Sequence, residues 1–383
     1  MNKILENKKF FYLIFFFNQL FSFRYFINSS TFEKKIIYFY LYLIIGFIFY
    51  LFFFKKKIIN FFLRDFLFYL ILLIYFVILL YMYPFADNMK FNMQGSDQDD
   101  CYIDIINNFK NNRDAIYTKS YLGNPCSTGL LAFLFYFPLI IWKNYFIIIP
   151  VIFLLIYKFS NQYLFKDSKI SNLLALILLS NLLFVELSVA GSDYISISIS
   201  YFAGCIFLIE GIKKNNNYLL IISFFFLLFF FGSRSVLLFL LIPLAIVFYR
   251  NYKIKKLFIF FILLFIFVIS SFLIPYYLFL PQSFPPFHLF GKVFWFLNNI
   301  KYLLLLATFF IFIFKTQIVR FLNINFLFYI LGIIAIPMII VSFSGFLVHL
   351  NNLDKWEELN YLIIFIPTFS SFLTAIYFKI QIK

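Results

Sequence analysis

The chain has 383 residues, of which 64% are hydrophobic, and a formal net charge of +16; its mean hydropathy is +0.95. Apolar stretches of about 18 residues or more recur from end to end and lack the alternation of a barrel strand. These features exclude a water-soluble globular protein and predict an all-α fold, a polytopic bundle of transmembrane helices. The basic residues form short clusters between apolar runs, which is typical of membrane topology signals and not of nucleic-acid binding.

In chain order the apolar runs predict about twelve spans, or eleven if residues 10–27 form an interfacial helix. The run 129–157 is interrupted by Lys143 and Asn144, and is either one long tilted helix or two short ones. Counting it as one helix places the basic turns on one side throughout, which the positive-inside rule assigns to the cytoplasm. We therefore predict a single membrane domain, 1–383. The other predicted spans are 36–54, 58–83, 170–190, 194–209, 218–231, 236–249, 257–280, 302–314, 321–347 and 359–378.

Three polar loops are predicted on the extracytoplasmic side: 84–128, 281–299 and 346–358. In the first loop, a capping pattern from Ser96 to Asp99 precedes apolar residues at helical spacing, which predicts a short amphipathic helix over 97–110 on the outer surface. Crowded carboxylates repel one another unless a proton, a cation or a cationic substrate relieves them, so this loop is the predicted site of chemistry. Six of the sixteen acidic residues lie in it: Asp87, Asp97, Asp99, Asp100, Asp104 and Asp114.

Two of the three cysteines, Cys101 and Cys126, also lie in this acidic loop. On an oxidising side of the membrane they can form a disulfide, which would fix the short helix against the next span. The alternative is two free thiols. Cys205 lies within a span and is interpreted as packing.

Short motifs occur in a recognisable order along the chain. Asp99 to Tyr102 has the form Asp-x-x-Tyr at the start of the amphipathic helix, Gly123-Asn124-Pro125 forms a turn before the next span, and an acidic turn follows at 188–194. In this order the chain resembles the membrane glycosyltransferases of the C superfamily (GT-C), which take sugar from a polyprenyl-phosphate carrier at the outer membrane face. The resemblance covers roughly residues 58 to 250. It departs from the family where the usual Asp-Glu pair is Asp99-Asp100.

The resemblance implies a role for each matching residue. Asp99 matches the first-loop acid that acts as general base or orients the acceptor, although Asp97 or Asp100 fits the same position. Asp193 matches a second outward acid near the carrier phosphate, and could hold a divalent cation (Mg or Mn) together with Asp99. Arg234 matches a cation that holds the phosphate, for which a guanidinium is well suited. The alternative for Arg234 is snorkelling to the membrane interface.

Four further residues join the predicted site. Tyr102 completes the first motif, and Glu186 is a carboxylate near the outer end of a span, where such a group is functional by default. The alternative for Glu186 is a protonated carboxyl that is hydrogen-bonded to a nearby serine or asparagine. His288 could contact the acceptor and His349 could stabilise a phosphate, but the two histidines form no zinc signature.

We therefore expect a membrane glycosyltransferase that moves a hexosyl or pentosyl group from a polyprenyl-phosphate donor to a lipid-linked or cell-surface acceptor. Its expected location is the plasma membrane, the inner membrane of a bacterium, with the acidic loop outside the cytoplasm. The expected partners are the donor, the acceptor and membrane lipids, with no nucleic acid. Alternatives are a polymerase of surface glycans, which would use Arg-rich outward loops, and a transporter or flippase, which would place charges at mid-membrane.

Overall fold

The computed structural model describes residues 41–44, 46, 64–88, 98–111, 119–123, 126, 128–140, 145–252, 255–278, 322–348 and 360–382. Within these residues the fold is all-α, as expected, and one isolated antiparallel bridge joins Thr128 to Arg234. The helices are α1 (Asp65–Asn88), α2 (Gln98–Lys110), α3 (Leu130–Ile140), α4 (Tyr145–Phe165), α5 (Ser168–Leu179), α6 (Leu182–Val189), α7 (Tyr194–Lys213), α8 (Asn217–Ser233), the 3₁₀ helix Ser235–Leu240, α9 (Leu241–Tyr252), α10 (Lys255–Leu278), α11 (Leu322–Val348) and α12 (Ile366–Ile382).

Four of the described helices are long and apolar enough to cross a membrane: α1, most of α4, α7 and most of α10. A fifth crossing is formed if α5 and α6 count as one span, bent by 70°. The bend falls at Ser180 and Asn181, where Asn181 caps α6 by accepting a hydrogen bond from the amide of Phe184. The described part of the chain thus has four or five helical segments of the length and composition that cross a membrane. The predicted spans 10–27 and 302–314, and nearly all of 36–54, lie outside the described residues.

Successive helices run in opposite directions, so the bundle has two ends, which we call the Asp99 end and the Lys158 end. Helix α1 starts at Asp65, whose carboxylate lies 3.0 Å from Nζ of Lys158, and reaches the other end at Tyr83, whose hydroxyl lies 2.8 Å from Asp99. Helix α4, the α5–α6 pair, α7 and α8 then pass between the two ends in turn.

Charge is distributed unequally between the two ends. Most of the described lysines lie at helix termini of the Lys158 end, whereas five carboxylates gather at the Asp99 end. This is the separation that the sequence predicted, and the assignment of the Lys158 end to the cytoplasm stays a prediction. The lysines are Lys158, Lys166, Lys169, Lys213, Lys214, Lys255 and Lys256, and the carboxylates are Asp87, Asp99, Asp100, Asp104 and Asp193.

The prediction of one continuous helix over 129–157 is wrong. The ring centroids of Phe135 in α3 and Phe153 in α4 lie 6.1 Å apart, whereas eighteen residues of straight helix would separate them by about 27 Å. The two helices are therefore folded against each other. Helix α3, with 11 residues, is too short to cross a bilayer core of about 30 Å. A single crossing, by α4, still separates the acidic loop from Lys158.

Helix α7 is the centre of the bundle, with 94% of its apolar stretch buried. Gly204 and Gly211 let α8 approach it closely, because a Cβ at either position would lie under 3 Å from a leucine of α8. The hydroxyls of Ser196 and Ser198 donate to carbonyls three residues earlier in the chain, those of Asp193 and Ile195. This rigid centre carries Asp193 at its Asp99 end.

Candidate active site at the Asp99 end

Helix α2 begins at Gln98 and ends at Lys110, close to the helix predicted over 97–110, and it buries its apolar side. The structure joins Cys101 to Cys126 by the disulfide that the sequence suggested, with the two Cα atoms 5.4 Å apart. Closing a loop of this length gives roughly 3 kcal/mol in the loop-entropy description. The start of α2 is thereby held against the segment that leads into α3.

Asp99 is buried, with 2% of its surface exposed, so it is not a solvated helix cap. Its Oδ2 accepts a hydrogen bond of 2.8 Å from the hydroxyl of Tyr83 in α1. Among the described residues its Oδ1 has no hydrogen-bond partner. Gly191, with φ of +67°, packs directly on this carboxyl, since a Cβ there would lie 2.6 Å from Oδ2. Only glycine combines that backbone conformation with so close an approach.

Burial is the largest cause that raises the pKa of Asp99, to about 8. The hydrogen bond from Tyr83 acts in the opposite direction, while the nearby carboxylates of Asp100 and Asp87 raise the pKa further. At pH 7 the group is therefore mostly protonated, with about a tenth ionised. A pKa so close to neutrality suits a group that exchanges a proton during a reaction.

Asp193 precedes α7 and forms an ion pair with Arg234. Nη2 of Arg234 donates to Oδ1 at 2.9 Å and to Oδ2 at 2.8 Å. The Asp193 side chain is 0% exposed and that of Arg234 is 11% exposed, so Arg234 does not snorkel to the interface. The hydroxyl of Tyr102 in α2 also donates to Oδ2 of Asp193, at 3.1 Å.

Gln98 connects the start of α2, next to Asp99, to the turn that carries Asp193. Its Oε1 accepts from the hydroxyl of Ser192 at 2.6 Å and from the backbone amide of Asp193 at 3.1 Å. Since Asp99 is the next residue along the chain, the start of α2 is hydrogen-bonded directly to the turn before α7. Asp99, Asp193 and Arg234 therefore belong to one buried network, although they come from three separate segments.

The remaining predicted site residues are distributed as follows. Asp100 is half-buried beside Asp99, and Glu186 is half-buried in α6, seven residues before Asp193. Loop 84–128 begins later than predicted because α1 continues to Asn88, and α11 likewise extends through Val348. Asp97, His288 and His349 lie outside the described residues, as do loop 281–299 and most of loop 346–358.

The predicted divalent cation does not fit the residues that surround Asp99 and Asp193. The described part of the chain contains no group of three His, Cys, Asp or Glu side chains placed to hold a metal. Both oxygens of Asp193 are also bound to Arg234.

Three residues of the network were missed by the sequence analysis: Tyr83, Gln98 and Thr128. Tyr83 is one of 28 tyrosines, so its position in the sequence carried no signal. Gln98 lies inside the capping pattern and could have been noticed there. Thr128 is the last residue of the acidic loop, and only the bridge to Arg234 reveals its place.

Comparisons with protein-family models, with curated proteins and with solved structures each give no match. The described fold and site combine helices of membrane-spanning length with a buried carboxyl of raised pKa and a buried Asp–Arg ion pair at one end of the bundle.

Proposed function

We propose that the protein is a membrane glycosyltransferase that uses a polyprenyl-phosphate sugar as donor and a lipid-linked or cell-surface hydroxyl as acceptor. The observation that carries the proposal is the convergence of Asp99, Asp193 and Arg234 in one buried network at one end of the bundle. A reaction of this kind needs a base for the acceptor and a cation for the departing phosphate, and both groups are present.

In the proposed reaction, ionised Asp99 accepts the proton of the acceptor hydroxyl. The acceptor oxygen forms a bond to the anomeric carbon of the sugar in a single displacement. The bond between that carbon and the phosphate oxygen breaks, and its electron pair remains on the phosphate. Arg234 stabilises the resulting negative charge by charge-assisted hydrogen bonds, while Asp193 and Tyr102 orient the guanidinium.

The burial of Asp99 supports its role as base over Asp100. A carboxyl whose pKa is about 8 is a stronger base when ionised than a solvated carboxylate, and it keeps an ionised fraction at neutral pH. Tyr83 and Gly191 fix its position on two sides. A base that is held in one position is already oriented for the proton transfer, which lowers the entropic cost of the reaction.

A protonatable buried carboxyl is also found in proton-coupled transporters. Proton-coupled transport is therefore the second candidate function. A transporter carries its charged site near the middle of the membrane. Asp99 instead lies in a helix outside the described membrane-crossing segments, at one end of the bundle. The transferase is therefore the better supported proposal.

The test is sugar transfer by purified protein from polyprenyl-phosphate sugars to a crude lipid acceptor. Asp99→Asn keeps the acceptor of the Tyr83 hydrogen bond but cannot take up a proton, and we expect transfer to fall by about 100-fold or more. Asp193→Asn should also reduce transfer, because it releases the orientation of Arg234.

The matched control is Asp167→Asn at the Lys158 end. Asp167 caps α5 by accepting from the amide of Lys169, and asparagine caps helices equally well. This variant should transfer sugar at the wild-type rate. Transfer that is unchanged in Asp99→Asn would refute the site, and concentration of a labelled glycan in vesicles without any transfer would favour the transporter.

A further inference from the structure

Thr128 lies beside Arg234 through an antiparallel backbone bridge. Residues paired in this way direct their side chains to the same side, with Cβ atoms about 5 Å apart. The crossing is tight, since the amide of Gly129 donates to the carbonyl of Ser233 and a Cβ at Gly129 would lie 2.0 Å from the carbonyl oxygen of Gly232. The Thr128 side chain is therefore held next to the arginine.

The hydroxyl of Thr128 is buried, and no residue in the described part of the chain forms a hydrogen bond with it. The hydroxyl of Ser235, directly after Arg234, is in the same condition. Elsewhere in the bundle most buried hydroxyls donate to a carbonyl within their own helix, as Ser196 and Ser233 do. A buried hydroxyl that makes no such bond has lost its hydration without replacement, which calls for a reason.

The position of Thr128 indicates which kind of ligand its hydroxyl would bind. A hydroxyl beside a guanidinium is placed to donate to the same negatively charged group, and it does so without adding charge to a buried site. The Asp193 carboxylate accepts two hydrogen bonds from Nη2 of Arg234 and one from the hydroxyl of Tyr102. A second anion at Arg234 therefore gains from a neutral donor that offsets its repulsion from Asp193.

We propose that Thr128 and Arg234 form a subsite for the phosphate group of a polyprenyl-phosphate lipid, with the Thr128 hydroxyl donating to a phosphate oxygen. The proposal rests on the proposed function, in which Arg234 already faces the phosphate, and adds the Thr128 hydroxyl to it. Arg234 provides the positive charge that attracts the phosphate, and the hydrogen bond from Thr128 fixes the orientation of the phosphate.

The test measures binding, so that it does not depend on sugar transfer. Purified protein in detergent is titrated with farnesyl phosphate, farnesol or inorganic phosphate, and ligand-induced stabilisation against heat gives the dissociation constant. Thr128→Val removes the hydroxyl at nearly constant volume, Thr128→Ser retains it, and Thr368→Val is the matched control. Thr368 is buried in α12 and its hydroxyl also lacks a hydrogen-bond partner in the described part of the chain.

We expect farnesyl phosphate to bind the wild type more tightly than farnesol or inorganic phosphate does. Thr128→Val should weaken that binding by about tenfold or more, whereas Thr128→Ser and Thr368→Val change it by less than about twofold. Without ligand, Thr128→Val should unfold at the wild-type temperature or above, which separates a binding role from a structural one.

If farnesyl phosphate binds Thr128→Val as tightly as the wild type, the subsite is refuted. The same holds if farnesol binds the wild type as tightly as farnesyl phosphate does. If inorganic phosphate binds as tightly as farnesyl phosphate, the phosphate group recognised here is not that of a lipid. If the protein transfers sugar but Thr128→Val binds farnesyl phosphate as the wild type does, only the role of Thr128 is refuted. If binding depends on Thr128 but no donor sugar is transferred, the proposed function fails and the subsite stands.

Discussion

Two ion pairs lie at opposite ends of the bundle, and they differ in how their carboxylates are satisfied. At the Lys158 end, Oδ1 of Asp65 accepts from Lys158 at 3.0 Å, from Ser168 at 2.6 Å and from Asn172 at 2.9 Å. The Asp65 side chain nevertheless remains 55% exposed, whereas that of Asp193 is 0% exposed. Water therefore reaches the carboxylate of Asp65 and is excluded from that of Asp193.

The pair at the Lys158 end is explained by its structural role. Lys158 is buried, its ammonium lies 4.7 Å from the ring centroid of Phe68 and 4.3 Å from that of Tyr69, and its charge meets Asp65. Through Ser168 and Asn172 the cluster ties α1, α4 and α5 together. Each described contact joins one helix to another, so the cluster needs no ligand.

The Asp99 end contains more polar groups than its packing requires. Beside the ion pair lie a buried carboxyl with Oδ1 unsatisfied and the buried hydroxyl of Thr128, when only the described residues are counted. Buried polar atoms without a hydrogen-bond partner among the described residues also occur away from this end, as at Ser200 and Thr368. At the Asp99 end they lie beside a buried ion pair and a carboxyl of raised pKa, which is the combination that points to a substrate. The comparison thus separates a cluster that helix packing explains from one that is proposed to bind a substrate.

The largest expected effect comes from breaking both pairs in the same way. Asp193→Asn leaves the arginine buried without its charge partner and should reduce the free energy of unfolding by about 3–5 kcal/mol. Asp65→Asn should cost less, about 1–2 kcal/mol, because its side chain is exposed and its amide oxygen still accepts from neighbours, although the buried Lys158 loses its counter-charge. Thermal unfolding in detergent compares the two variants. Equal losses would show that exposure of the carboxylate does not distinguish the pairs.

The second effect is a pH dependence that belongs to Asp99. Since its pKa is about 8 in the folded protein and about 4 when unfolded, the folded state binds the additional proton between these values. The stability contribution of this proton is complete below about pH 4 and is lost as pH rises to about 8. From about pH 6 to about 8 the wild type should lose roughly 2–3 kcal/mol that Asp99→Asn does not lose.

Transfer activity should change in the opposite direction over the same interval, because only ionised Asp99 acts as a base. The rate at saturating donor should therefore rise with pH and level off above about pH 8. Melting temperatures and rates of wild type and Asp99→Asn, measured from about pH 5 to about pH 9, check both curves. Parallel pH curves of stability in the two proteins would contradict the assignment of this titration to Asp99.

The sequence predicted the parts of this site that depend on local pattern. Helix α2 follows from periodicity and charge, whereas Asp193 and Arg234 were predicted from the resemblance to a family's motifs. The alternative of two helices over 129–157, marked by Lys143 and Asn144, was set aside because one helix kept the basic turns on one side. Apolar periodicity indicates a helix but not whether the chain reverses, which depends on contacts such as that between Phe135 and Phe153.

The burial of Asp99 was also beyond local pattern. An aspartate in the first turn of an amphipathic helix is ordinarily solvated, and here Tyr83 and Gly191 cover it. Neither contact can be recognised in the sequence from residues spaced three or four positions apart. In the same way, the hydrogen bond from Tyr102 joins residues that are 91 positions apart. The sequence thus supplied the residues that the proposed reaction uses, while tertiary contacts decide their protonation and partners.

The smallest expected effect on stability tests whether Gly191 positions Asp99. Gly191 and Gly123 both have positive φ, +67° and +78°, so alanine strains the backbone at either place, by about 1–2 kcal/mol. Around Gly123 a Cβ meets nothing within 4 Å, whereas at Gly191 it meets the carboxyl of Asp99 at 2.6 Å. Gly191→Ala must therefore displace Asp99 from Tyr83 and should reduce sugar transfer by about tenfold or more. Gly123→Ala should show the backbone strain in its melting temperature but transfer sugar at the wild-type rate. If both variants retained full activity, the exact position of Asp99 would not matter to the reaction, and its burial would be a feature of packing, as at the Lys158 end.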